Sequence, residues 1–416
     1  MKIINIHAQE VLDSRGNPTV ECTVTLENDI KASAIVPSGA STGKHEAVEL
    51  RDGDKERYLG KGVLNAIENV NTKIKEIVVG MDVENQEEID QAMIALDGTD
   101  NKSQLGANTI LSVSMACTKA AAISEGIPLY EYIAKLFNNE TDIYELPVPM
   151  INVLNGGKHA QGASDIQEYM IMPIGAENIQ QAIQWGSEVF HHLGKILEDM
   201  DYPTTVGDEG GYAPNLGSNE KPLELLIEAI KKSGYEPGKD ISLAIDAAAS
   251  EFFEDGKYLL KVDDKKLDRE QLVNIYSNWV HKYPLISIED GFSEDDWEGF
   301  KILEEKLPDN VMNVGDDLFV TNIERLEKGI EMECASAILI KLNQIGTVSE
   351  TVNVIKRAED AGMNCIISHR SGETEDTFIA DFAVGSGVGF IKTGSMSRSE
   401  RVAKYNRLMR IERELN

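Results

Sequence analysis

The sequence predicts an α/β protein: an N-terminal α+β capping domain over residues 1–138, then an eight-stranded β/α barrel of the TIM type over residues 139–416, in the order ββαα(βα)6. Three observations carry this expectation. Alternating apolar residues near the start read as a hairpin, and the composition changes near residue 140. Beyond that point short apolar runs alternate with amphipathic stretches, and run after run ends in a charged residue.

The totals bound the answer. A chain of 416 residues is long enough for two cores, and a 42% hydrophobic share is that of a globular protein. Lys and Arg number 40 against 71 Asp and Glu, a net charge of -31. That field repels nucleic acid and anionic membrane surfaces, so neither is an expected partner. A phosphorylated substrate would be repelled too, unless metal ions or local Lys and Arg invert the sign inside a cleft. Cys22, Cys117, Cys334 and Cys365 are scattered, without C-x-x-C spacing, and read as reduced core thiols. No segment approaches the ~18 apolar residues of a membrane span, so no membrane insertion is expected and cytoplasm is the expected compartment.

Each element follows in order. Val20, Cys22, Val24 and Leu26 alternate with Thr19, Glu21, Thr23 and Thr25, the pattern of a half-buried strand. Glu27-Asn28-Asp29 turns the chain, and Ile30, Ala32, Ala34 and Val36 repeat the alternation. The loop from Pro37 to His45 is not a nucleotide-binding P-loop: Gly39 and Gly43 bracket three residues rather than four, and His45, not a hydroxyl residue, follows Lys44. It reads either as a plain turn or as a small-residue loop that closes over a ligand and offers Ser41. Helical periodicity covers 62–79, 84–96 and 106–125, and the polar, proline-punctuated passage between Phe137 and Pro149 marks the domain boundary.

After Pro149 come two runs with a short connection, Met150–Leu154 and Gln167–Ile171, then helical segments near 178–200 and 221–234. Six strand–helix units follow. Their strand ends are Asp246, Glu289-Asp290, Asp316-Asp317, Lys341, His369 and Lys392. Two runs and six units make eight strands, the number that closes a barrel whose active site lies at the carboxyl ends of its strands. Any one Asp after a strand can be a helix N-cap, and any one lysine can snorkel to the surface. Together they converge on one mouth.

Asp246, Glu289 and Asp316 supply hard oxygen ligands with no His or Cys among them, which suits Mg²⁺ rather than Zn²⁺. Two lysines, a histidine and Arg370 supply an anion-gripping rim. A lysine such as Lys341 serves as a base only if burial or nearby positive charge lowers its pKa from ~10.4 by several units. The reaction class this points to is proton abstraction beside a carboxylate. Elimination also needs an acid, and Gly207-Asp-Glu-Gly-Gly211 places Glu209 in a glycine loop that reads otherwise as a surface turn.

These residues resemble the enolase family along essentially the whole chain. The matching motifs are Ser38–Gly43, Asn155–His159, Gln167-Glu168, Gly207–Pro214, Ile288–Gly291, Gly315–Asp317, Ile340–Gly346, Ser368–Thr374 and Ile391–Gly394. A lysine base beside Mg²⁺ is a known arrangement in enolase-superfamily sites. The resemblance implies reversible dehydration of 2-phosphoglycerate to phosphoenolpyruvate, with Lys341 as base at C2, Glu209 as acid at the C3 hydroxyl, and Glu168 assisting. It implies two Mg²⁺ per site, one on Asp246, Glu289 and Asp316 and a second reached by Ser41. It places Gln167, His369, Arg370, Ser371 and Lys392 on the substrate and His159 on a closing loop, and makes the second barrel strand antiparallel. A homodimer or an octamer of dimers is implied, and secondary protein partners with surface display are compatible with it. A superfamily relative acting on unphosphorylated acids, or a scaffold that keeps the fold without catalysis, are the competing readings.

Overall fold

The computed structural model describes residues 1–39, 43–139, 143–160 and 162–416. Two compact units divide it. The first holds Met1–Glu145 together with Ile340–Arg357 and His369–Gly387; the second holds Leu146–Leu339, Ala358–Ser368 and Val388–Asn416.

In the first unit β1 (Ile3–Leu12), β2 (Pro18–Leu26) and β3 (Lys31–Ile35) form an antiparallel meander. Val20, Cys22, Val24 and Leu26 are buried as the alternation predicts, with Cys22 opposite Ala8 on one side and Ala34 on the other. β1 carries no such signal: a register shift between Ile3 and Asn5 breaks its alternation, and Ile3, Ile6 and Ala8 are its buried residues. The helix Ala107–Glu125 packs on β2 and β3 and is buried on all sides from Ala107 to Thr118, as an apolar core helix should be. Among the described residues no single helix is long and apolar enough to cross a membrane.

The later segments of this unit are tied in by polar contacts. Asp90 is fully buried and accepts from the Ser349 amide (3.0 Å) and hydroxyl (2.7 Å). Lys119 pairs with Asp376 at 2.7 Å, and the helix Phe378–Ser386 lies on Leu129–Leu136.

The second unit is the barrel. β4 (Val148–Asn155), β5 (Glu168–Met172) and β6 (Ser242–Asp246) begin it. β5 runs antiparallel to both neighbours, as the resemblance implies. A small antiparallel sheet follows, β7 (Phe253–Glu254), β8 (Lys257–Leu260) and β9 (Lys265–Leu267), whose Asp255-Gly256 turn with positive φ is a recognisable hairpin signal. It is an addition to the predicted order. β10 (Leu285–Glu289), β11 (Met312–Gly315), β12 (Ala337–Ile340), β13 (Asn364–Ser368) and β14 (Phe390–Lys392) complete a closed barrel in the order β10-β11-β12-β13-β14-β4-β5-β6.

Helices separate the later strands and start at side-chain caps: Asn178 accepts from the Gln181 amide, Asp296 from Gly299, Asn322 from Glu324 and Arg325. The barrel interior is filled by Met150, Met170, Met172, Ala244, Met312, Val314, Ala337, Leu339 and Ile366. Flexible methionines fit the irregular space between strands of mixed direction.

The four cysteines are free and buried. Burial pushes the Cys22 thiol up to about 12 and Cys334 to about 11, and raises Cys117 and Cys365 as well. A raised thiol pKa means the nucleophilic thiolate is scarce below it: at pH 8 roughly one thiol in a thousand or fewer is ionised. A disulfide reagent at pH 8 should therefore label the native chain far more slowly than the denatured one. Rapid labelling of a native cysteine would contradict this packing.

Candidate active site

Side chains alternate along a strand, so the interior residues identify what stands above them. On β6 Ala244 is followed in the same register by Asp246; on β11 Met312 and Val314 by Asp316; on β14 Phe390 by Lys392. On β12 Ala337 and Leu339 hold the interior register. β5 runs the other way, so Glu168, two residues before Met170, comes to the same end. On β13 the interior register reaches Ser368 rather than His369. The apolar barrel floor thus gives way to a polar mouth at one level.

Register brings three carboxylates side by side there, Glu168 opposite Asp246 and Asp246 opposite Glu289. The Lys392 ammonium lies among them, 3.0 Å from Glu168 Oε1, 3.0 Å from Asp246 Oδ2 and 2.9 Å from both Glu289 oxygens. All four side chains are buried. Burial alone lowers the pKa of Lys392, but Asp246, Glu168, Glu289 and Glu209 together hold it well above the usual lysine value. Glu168 is pushed well above the carboxylate range, by burial first and then by Glu209, with Lys392 opposing.

Glu209 stands beside this group. Its Oε2 accepts from Asn152 Nδ2 at 2.9 Å and lies 3.6 Å from His159 Nδ1. Oxygens of Glu168 and Glu209 and a His159 nitrogen fall within 4.8 Å of one another. The loop glycines are required by close approach: at Gly207 a Cβ would meet His159 O at 2.9 Å, and Gly210, at φ +89, would meet Ser397 O at 2.5 Å.

Asp316 follows a different grouping. Its side chain falls within 4.8 Å of Asp290 and Asp317, and the Asp290 carboxylate accepts from the backbone amides of both, at 2.9 Å and 2.8 Å. Asp290 is pushed well above the carboxylate range, by burial first and then by Asp317 and Asp316. So Asp246 and Glu289 share one ammonium, while Asp316 is oriented by Asp290. The donors are carboxylate oxygens, which fits a hard divalent cation. Two buried acceptor atoms, Gln167 Oε1 and Glu168 Oε2, have no hydrogen-bond partner among the described residues, and Gln167 Nε2 reaches Asp246 at 3.3 Å. Unmatched buried acceptors at this depth also fit a cation-binding mouth.

Lys341, His369, Arg370 and Ser371 belong to the first unit. Lys341 is half-buried and extended, at the start of the short helix Leu342–Ile345. Arg370 is buried and held by Glu46 through two parallel contacts (2.9 and 3.1 Å), and Asn343 Oδ1 accepts from it at 3.1 Å. Ser41 lies outside the described residues. Asn152, Glu46 and Asn343 were not identified from sequence, and Asp290 was read there as a strand end that could equally be a helix N-cap. Asn152, polar within an apolar strand, is the one with a readable signal.

Replacing Lys392 by Met would leave three buried carboxylates without their cation, a loss of about 3–5 kcal/mol. Thermal or chemical denaturation in the presence of a chelator should show that loss. Unchanged stability would mean the ammonium does not balance this cluster.

Two family models match the chain: the enolase N-terminal domain over residues 3–133 and the enolase C-terminal TIM barrel domain over residues 143–416. Together they span nearly all of it. With a closed barrel, an α+β N-terminal unit and acidic groups able to hold a metal, the chain belongs to the enolase family and is an enolase-superfamily lyase.

Proposed function

We propose that the protein catalyses the reversible dehydration of 2-phosphoglycerate to phosphoenolpyruvate, the glycolytic and gluconeogenic step. The observation that carries this reading is the meeting of Glu168, Glu209, Asp246, Glu289 and Lys392 at one end of the barrel in a chain of this family.

Lys341 takes the proton from C2 of the substrate, and the C–H electron pair passes into the adjoining carboxylate as an enolate. That pair then forms the C2–C3 double bond as the C3 hydroxyl leaves. Glu209 donates the proton that makes the departing group water, with Asn152 Nδ2 holding its carboxyl group and His159 close by. Glu168, whose raised pKa favours a proton, exchanges protons with Glu209 between turnovers. Gln167, His369, Ser371 and Lys392 bind the substrate, and Arg370 presents its planar fork to the phosphate.

Asp246, Glu289 and Asp316 would hold one Mg²⁺, and Ser41 would contribute to a second. Bound there, Mg²⁺ supplies the positive charge that stabilises the extra negative charge on the enolised carboxylate. The same charge balance admits an anionic substrate to a chain of net charge -31. Cytoplasmic location and assembly as a homodimer or an octamer of dimers complete the reading, and light scattering measures the assembly. Secondary protein partners and surface display would add to this activity.

The two proton transfers separate in the test. Lys341→Ala should abolish exchange of the C2 proton with deuterated solvent, whereas Glu209→Gln should slow net dehydration by roughly 10²–10⁴-fold yet leave that exchange in place. Nuclear magnetic resonance of the recovered substrate reads both. Continued exchange by Lys341→Ala would remove Lys341 from the role of base.

A further inference from the structure

Four successive carbonyl groups of the loop that carries Glu209 are each taken by a donor from one short stretch after β14. Arg398 Nη1 donates to Gly207 O at 3.3 Å, and Arg401 Nη2 to Asp208 O at 3.2 Å. The Ser395 amide donates to Glu209 O at 2.9 Å, and the Ser397 hydroxyl to Gly210 O at 2.6 Å. The loop also closes on itself, with Gly207 N donating to Gly211 O at 2.8 Å and Gly210 N to Gly207 O at 3.1 Å.

The donor stretch is itself firmly held. Arg398 has φ +71, rare for a residue with a side chain, and stands immediately before the helix Ser399–Leu415. Such a conformation persists only where its surroundings over-determine it. Arg398 Nε pairs with Glu400 at 2.8 Å, and the Arg401 side chain is fully buried. Gly394 admits Arg401: a Cβ there would meet its Cδ at 2.6 Å. Tyr405, from the same helix, donates to Gly394 O at 2.7 Å.

We propose that residues 395–401 act as a backbone clamp that positions Glu209, with Ser397 and Arg398 as positioning residues for the acid. The proposal rests on the reading of Glu209 as the acid of elimination. A glycine-rich loop unheld would sample many conformations and carry the carboxyl group with it. With its carbonyls occupied one by one, the loop has a single arrangement, and Glu209 meets Asn152 and His159 in that arrangement alone. The clamp also gives a reason for the donors' place in the chain: the strand that brings the ammonium to Glu168, Asp246 and Glu289 runs on, three residues later, into the first of the donors that fix the acid.

Ser397→Ala and Arg398→Ala, with Arg398→Lys as the conservative variant, test this on the full-length protein. Amide hydrogen exchange of the peptide spanning 205–213, without substrate, should be slow in the parent and at least about tenfold faster in both alanine variants, with the barrel strands unchanged. With 2-phosphoglycerate and Mg²⁺, kcat for dehydration should fall on the order of 10- to 100-fold, while C2 proton exchange stays within about twofold of the parent. Arg398→Lys, which keeps a donor within reach of Gly207 O, should recover part of the lost rate. A clamp that only stabilises the fold would slow both reactions alike, and that result, or rapid amide exchange in the parent, overturns the proposal. If the parent neither exchanges the C2 proton nor dehydrates the substrate, the reading of Glu209 fails, and the clamp on the loop is still decided by amide exchange.

Discussion

The Lys392 ammonium stands within 3.0 Å of Glu168, Asp246 and Glu289, where none of the four side chains has appreciable contact with water. Removing one carboxylate from water without a partner costs several kcal/mol, and three together would repel one another in a medium of low polarity. The ammonium offsets this. Burial and Glu209 push Glu168 towards its neutral form, so Asp246 and Glu289 with the one ammonium, -2 + 1, leave one negative charge. A negative surplus among buried carboxylate oxygens suits a hard cation, so the chemistry of the mouth follows from that imbalance.

The barrel makes this balance available by geometry rather than by local sequence. Glu168 reaches the mouth because β5 is reversed; were it parallel, that residue would sit at the opposite end. Asp246 and Glu289 are neighbours because β6 and β10 are adjacent parallel strands of the barrel. Beneath them the methionine-rich interior excludes water, which strengthens each electrostatic contact above it. In the first unit the same rule recurs on a smaller scale, where buried Arg370 is matched by Glu46 and its guanidinium plane is fixed before any ligand arrives.

The strand-end carboxylates and lysines were legible because a barrel strand has a period of two and a short apolar run stops where the polar mouth begins. Asp246, Glu289 and Lys392 end their strands where the pattern says they should. β1 was hidden by its register shift, and the β7–β9 sheet lay in a passage whose Asp255-Gly256 turn was the readable cue. The grouping of 340–357 and 369–387 with the N-terminal unit depends on contacts such as Asp90 with Ser349, which no local pattern encodes. The glycines of 207–211 are read from sequence as freedom of motion. In the folded chain they admit close neighbours: Asn155 and His159 O at Gly207, and Ser397 at Gly210.

The central claim is that this mouth, loaded with Mg²⁺, eliminates water from 2-phosphoglycerate. The most direct measurement follows the ultraviolet absorbance of purified protein mixed with that compound, with Mg²⁺ and then with a chelator. A steady rise that needs Mg²⁺ and stops on chelation is the predicted result. No rise in the presence of Mg²⁺, from protein shown to be folded, would contradict the account.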